Sequence, residues 1–141
     1  MMQNRMILRA LLAVVGAGIV FLGLNIGLGG IETMGWQGSG SSVDVTDPAL
    51  FAVRDSHVRF IGGVWMGVGL LFFCGCVFFK ELRPTLIALT ALVFVGGVVR
   101  LLSLDWNVLL GMRVLPSLIA ELFLFPALGY WIYRAKKQKT N

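Results

Sequence analysis

The chain has 141 residues, 57% of them hydrophobic, with a mean hydropathy of +0.86 and only 13% charged. Soluble domains carry about 25% charged residues, so the composition excludes a soluble globular protein and predicts an integral membrane one. The net charge of +5 sits mostly at the ends of apolar runs, as topology anchors do, and not in a patch suited to nucleic acid.

Arg5 and Arg9 precede an uncharged stretch from Ala10 to Ile31. A secretory signal has an apolar region of about 7–15 residues closed by a small-residue cleavage site. This run is longer and lacks that close, so it predicts a retained first helix over about residues 7–29. Gly29 to Asp47 is rich in Gly, Ser and Asp, including Gln37-Gly-Ser-Gly-Ser-Ser42, and predicts a flexible outer loop over about 30–47. Thr46-Asp47-Pro48 reads as a helix start, a capping residue followed by proline at the first helical position. From there a helix runs toward Phe79, crossing the membrane over about 58–79. Lys80-Glu-Leu-Arg83 predicts a tight turn, and Pro84 opens a third span over about 84–104, broken only by Arg100. Asp105 to Arg113 forms a short outer loop. A fourth span over about 114–133 starts near Pro116 and is broken only by Glu121. Tyr130, Trp131 and Tyr133 mark its end as an interfacial aromatic belt.

Four spans with short connections predict one all-α transmembrane domain over residues 1–141, a bundle of four helices. With the N-terminus in the cytoplasm, that side holds Arg5, Arg9, Lys80, Arg83, Arg134, Lys136, Lys137 and Lys139. The other side holds Arg54, Arg59, Arg100 and Arg113. This asymmetry places both termini in the cytoplasm of a bacterial inner-membrane protein. The basic tail also suits attraction to anionic membrane lipid.

Cys74 and Cys76 lie two residues apart in the second span and point in different directions on a helix. With His57 the single histidine and distant along the chain, they read as buried small hydrophobes. No metal or other cofactor is expected. Ser56, Ser103 and Ser117 have no evident base apart from His57, so catalysis by a nucleophile and base has little support.

Glycine is frequent, 18 residues of 141, and much of it falls in the spans. Gly23 with Gly27 and Gly63 with Gly67 are G-x-x-x-G pairs, which let helix backbones approach closely in lipid. They predict packing within the bundle or self-association. Arg59, Gly63 and Gly67 lie four apart on the second helix, with Asp55 one turn before Arg59. On the third helix Arg100 follows Gly96 and Gly97 by four and three residues. A charge within a span costs about 2.5–3.5 kcal/mol on insertion scales, so Arg59, Arg100 and Glu121 should face the bundle interior near the outer side. Asp55 and Asp105 lie at the same rim. Two readings follow. The five residues form an ion-pair network that fixes helix register, or the two arginines hold an anionic ligand.

The run Arg59-Phe-Ile-Gly-Gly-Val-Trp-Met-Gly-Val-Gly-Leu70, then Gly96-Gly-Val-Val-Arg-Leu-Leu-Ser103, then Gly111 and Ala120-Glu121-Leu122 resembles the small bacterial four-helix membrane proteins grouped as domain of unknown function 4345. The resemblance spans nearly the whole chain. It implies an inner-membrane four-helix fold with Arg59, Arg100 and Glu121 as the matching polar positions, and it implies no activity. The expected function is a non-enzymatic accessory or interaction protein, a small subunit of a larger membrane complex, with another membrane protein or a second copy as partner. The alternative is a binding protein or enzyme for an anionic lipid-like or quinone-like ligand held by Arg59 and Arg100.

Overall fold

The computed structural model describes residues 2–33, 47–102, 106–112 and 114–135, which are helical apart from short connections and contain no strand. Asp105, most of the expected outer loop and the tail beyond Ala135 lie outside the described residues. Four helices are long and apolar enough to cross a membrane, at Asn4–Glu32, Pro48–Gly75, Phe79–Leu101 and Leu115–Arg134. Large apolar side chains such as Phe21, Leu28, Phe60, Val99 and Phe123 stand exposed on them, an arrangement that lipid favours and water does not. The protein is an all-α, multi-pass membrane protein.

Helix α1 (Met2–Gly29) ends where Gly30 takes a φ of +66°. That left-handed residue is the commonest way to stop a helix, and glycine adopts it without Cβ strain. A short 3-10 turn, Gly30–Thr33, follows. Helix α2 (Pro48–Gly75) begins on Asp47, whose Oδ1 accepts hydrogen bonds from the Ala49 amide at 2.9 Å and the Leu50 amide at 3.1 Å. The capping residue is thus Asp47, with Pro48 at the first position, where its missing N–H costs nothing.

The next reversal falls at residues 76–78, and helix α3 (Phe79–Leu101) already includes Lys80 to Arg83 and carries Pro84 inside it. The polar run expected as a turn is therefore the helix's first turn. Proline at this sixth position deprives one carbonyl of its donor, that of Lys80, which stands exposed at the start of the helix. A short helix α4 (Trp106–Leu109) precedes the fourth span, which comprises α5 (Leu115–Ile119), a π-helical turn at Ala120–Leu124 and α6 (Phe125–Arg134). Pro126 accounts for the π turn. It has no N–H for the carbonyl four residues back and its ring crowds that carbonyl, so the chain widens and the Phe125 amide bonds to the Ala120 carbonyl instead.

The chain packs as two compact units, Leu11–Cys74 and, joined together, Met1–Ala10 with Gly75–Asn141. In the first unit α1 and α2 run antiparallel, with Gly16 against Gly69 and Gly23 against Gly62. In the second, α3 runs antiparallel to the fourth span. Thr90 lies against Gly129, Gly97 against Glu121, and Arg100 reaches Ser117.

Candidate functional site

The polar groups of each unit start from a backbone problem. A helix leaves its last carbonyls without intrahelical donors, and in a membrane water does not reach them easily. At the end of α1, Arg59 of α2 supplies the donors. Its Nη1 donates to the carbonyls of Leu28 and Gly27, the latter at 3.5 Å, while Nε donates to Asp55 Oδ2 at 2.6 Å. Asp55 Oδ1 in turn accepts from the Ile31 amide at 2.8 Å. Asp55 and Arg59, one turn apart on α2, therefore clamp both sides of the Gly30 turn. A Cβ on Gly30 would run into the Asp55 carboxylate and lie 3.0 Å from Arg59 Nη2, so glycine is required there for space as well as for φ.

The same solution recurs at the end of α6. Arg83 Nε donates to the Ile132 carbonyl at 3.1 Å and Nη2 to the Tyr133 carbonyl at 2.7 Å, with the guanidinium 5.9 Å from the Tyr133 ring centre. In sequence Arg83 carries only a topology signal. Its capping role depends on which helix packs against α3.

Arg100 caps no helix end among the described residues and is held by side chains alone. Its Nη1 donates to Ser117 Oγ at 3.0 Å, and Nη2 lies 3.0 Å from Glu121 Oε1. Ser117 and Glu121 stand four residues apart, on one face of the fourth span. Ser117 also donates to the Val114 carbonyl at 2.8 Å, so its hydroxyl hydrogen is engaged by the backbone while its oxygen accepts from Arg100. Glu121 is buried, 7% exposed, whereas the Arg100 side chain is 41% exposed. Among the described residues Glu121 Oε2 has no hydrogen-bond partner. It lies toward Gly97, where a Cβ would come within 3.4 Å of Oε2 and 2.7 Å of Glu121 Cβ. Gly97 is thus the space that admits the carboxylate, and the π turn at Ala120–Leu124 presents it. Such turns recur at functional positions.

The structure brings Arg59 onto Asp55 and Arg100 onto Glu121. Each arginine holds its own carboxylate within its own unit, so neither pair carries a net charge. Of the glycines read as packing positions, Gly23, Gly27 and Gly97 lie at helix contacts, while a Cβ at Gly63, Gly67 or Gly96 would meet nothing within 4 Å. The close approach on α2 is made by Gly62 and Gly69, where a Cβ would lie 2.6 Å from Gly27 Cα and 2.9 Å from the Gly16 carbonyl oxygen. Gly16 and Gly23, like Gly62 and Gly69, recur every seven residues, the period of a shallow helix crossing sustained over several turns. That spacing was the signal available in the sequence. Cys74 is exposed and Cys76 half-buried, both free, so the first is not the buried hydrophobe expected. On an apolar span an exposed thiol faces lipid at little cost.

No curated protein and no solved structure shows significant similarity to the chain. The family model described as a domain of unknown function (DUF4345) matches residues 7–132, nearly the whole length, and the chain belongs to that family.

Proposed function

We propose that this protein is a non-enzymatic interaction protein of the bacterial inner membrane, a small subunit of a larger membrane complex with both termini in the cytoplasm. The observation that carries the reading is the engagement of its two span-embedded arginines. Arg59 is occupied by Asp55 and the carbonyls ending α1, and Arg100 by Ser117 and Glu121. A cation that holds a ligand needs donors to spare and an uncompensated charge, whereas these two fix neighbouring helices. The Gly63–Gly67 face of α2 and Gly96 of α3, where a Cβ would meet nothing, supply surfaces on which a partner helix can approach closely.

Native mass spectrometry after gentle extraction from the protein's own membrane tests this. A stoichiometric membrane-protein partner, lost when Gly63 and Gly67 are both changed to Leu, is the expected result. An isolated chain carrying a defined anionic molecule that Arg100→Gln releases would overturn it in favour of a ligand-binding protein.

A further inference from the structure

Asn4, Arg5 and Leu8 of α1 enclose, with Trp131, Arg134 and Ala135 at the end of the fourth span, a cavity of about 270 Å³. All six residues belong to one packing unit. Leu8 is buried and Trp131 half-buried, while Asn4, Arg5 and Arg134 are exposed, so an apolar floor is rimmed by polar and cationic groups. We propose that this cavity binds the phosphate-bearing head group of an anionic membrane lipid.

Charge is the first argument. Two guanidiniums, those of Arg5 and Arg134, line the cavity. Guanidinium is the group whose planar fork matches phosphate oxygens two at a time. Arg134 is steadied by the Tyr130 ring, whose centre lies 5.5 Å from its guanidinium carbon.

The helix ends are the second. Asn4 and Arg5 lie in the opening turns of a 28-residue helix, whose first amides lack intrahelical acceptors and favour an anion. The opposing end of α6 would ordinarily repel one. Its last carbonyls, those of Ile132 and Tyr133, instead accept hydrogen bonds from Arg83, which offsets that negative end.

Size and depth are the third. Pockets for whole drug-sized ligands run about 300–1,000 Å³, so this cavity suits a compact head group whose acyl chains stay outside. It sits at the ends of two membrane-spanning helices beside an aromatic residue, the level at which head groups lie.

The test uses the full chain in a detergent free of phosphate, titrated with phosphatidylglycerol, phosphatidylcholine or inorganic phosphate and read by native mass spectrometry. One phosphatidylglycerol should be retained in preference to phosphatidylcholine. Arg5→Gln combined with Arg134→Gln should weaken that retention by roughly tenfold or more, while Arg54→Gln leaves it unchanged. The double Lys variant, which keeps the charge and loses the fork, should fall between. Equal retention of the two lipids by the wild-type chain would overturn the proposal without recourse to any variant, and so would indifference to the double Gln change. Occupancy by inorganic phosphate that phosphatidylglycerol fails to displace would overturn the lipid assignment.

Discussion

An arginine persists inside an apolar span when its guanidinium finds acceptors, and the kind of acceptor decides what its loss would do. Arg59 bonds to the carbonyls that end α1 as well as to Asp55, so removing it frays α1 locally and unpairs that carboxylate. Arg100 bonds to side chains, one of them a carboxylate that is 7% exposed. Removing Arg100 therefore leaves a buried anion with no counter-charge. Breaking a buried pair on one side costs about 3–5 kcal/mol, and because Arg100 is itself partly exposed the expected loss for Arg100→Ala lies near the lower figure. Arg100→Leu combined with Glu121→Leu should recover most of it, since removing both charges removes the uncompensated one. Thermal unfolding of the three proteins in one detergent decides the matter. A single variant as stable as the wild type would show that the pair contributes nothing to the fold.

Between elements, contact rests on where a methyl group has no room. A Cβ at Gly62 would lie 2.6 Å from Gly27 Cα, while one at Gly63 would meet nothing within 4 Å. Gly62→Ala should therefore destabilise the α1–α2 pair by about 1–3 kcal/mol, the range for overpacked sites. Gly63→Ala should be neutral or stabilise by up to about 1 kcal/mol, because alanine is the better helix former. Unfolding midpoints of the two neighbouring variants check this, and equal midpoints would refute the packing face described. The pair also shows how far the sequence could be read. Apolar length located the four spans, Asp47-Pro48 marked the start of α2, and the cost of burying charge singled out Arg59, Arg100 and Glu121. The face of α2 came out one residue away, because a spacing of four between glycines does not say which glycine meets a partner. The turn before α3 was misplaced for a related reason. Lys80 and Arg83 look like loop residues until Arg83 is seen capping the end of α6, a contact no local pattern contains. The π turn had a local cause in Pro126, but its effect, Glu121 set against Gly97, needed the packed pair.

Across the whole molecule, four crossing spans return the C-terminus to the side of the N-terminus, and charge chooses that side. Orientation follows Lys and Arg in short flanking segments, and acidic residues contribute little. By their places in the sequence between and beside the spans, Arg5, Arg9, Lys80, Arg83, Arg134, Lys136, Lys137 and Lys139 fall on one side. Arg54, Arg59, Arg100 and Arg113 fall on the other, four against eight. Both termini should therefore lie in the cytoplasm of a bacterial host. Fusions to a fluorescent protein that matures only in the cytoplasm and to an alkaline phosphatase active only outside it provide the measurement. The C-terminal fluorescent fusion should be bright and its phosphatase counterpart inactive. Fusions truncated after Gly40, within the connection between α1 and α2, should give the reverse. An active C-terminal phosphatase would invert the orientation and move the Arg5–Arg134 cavity to the outer face of the membrane.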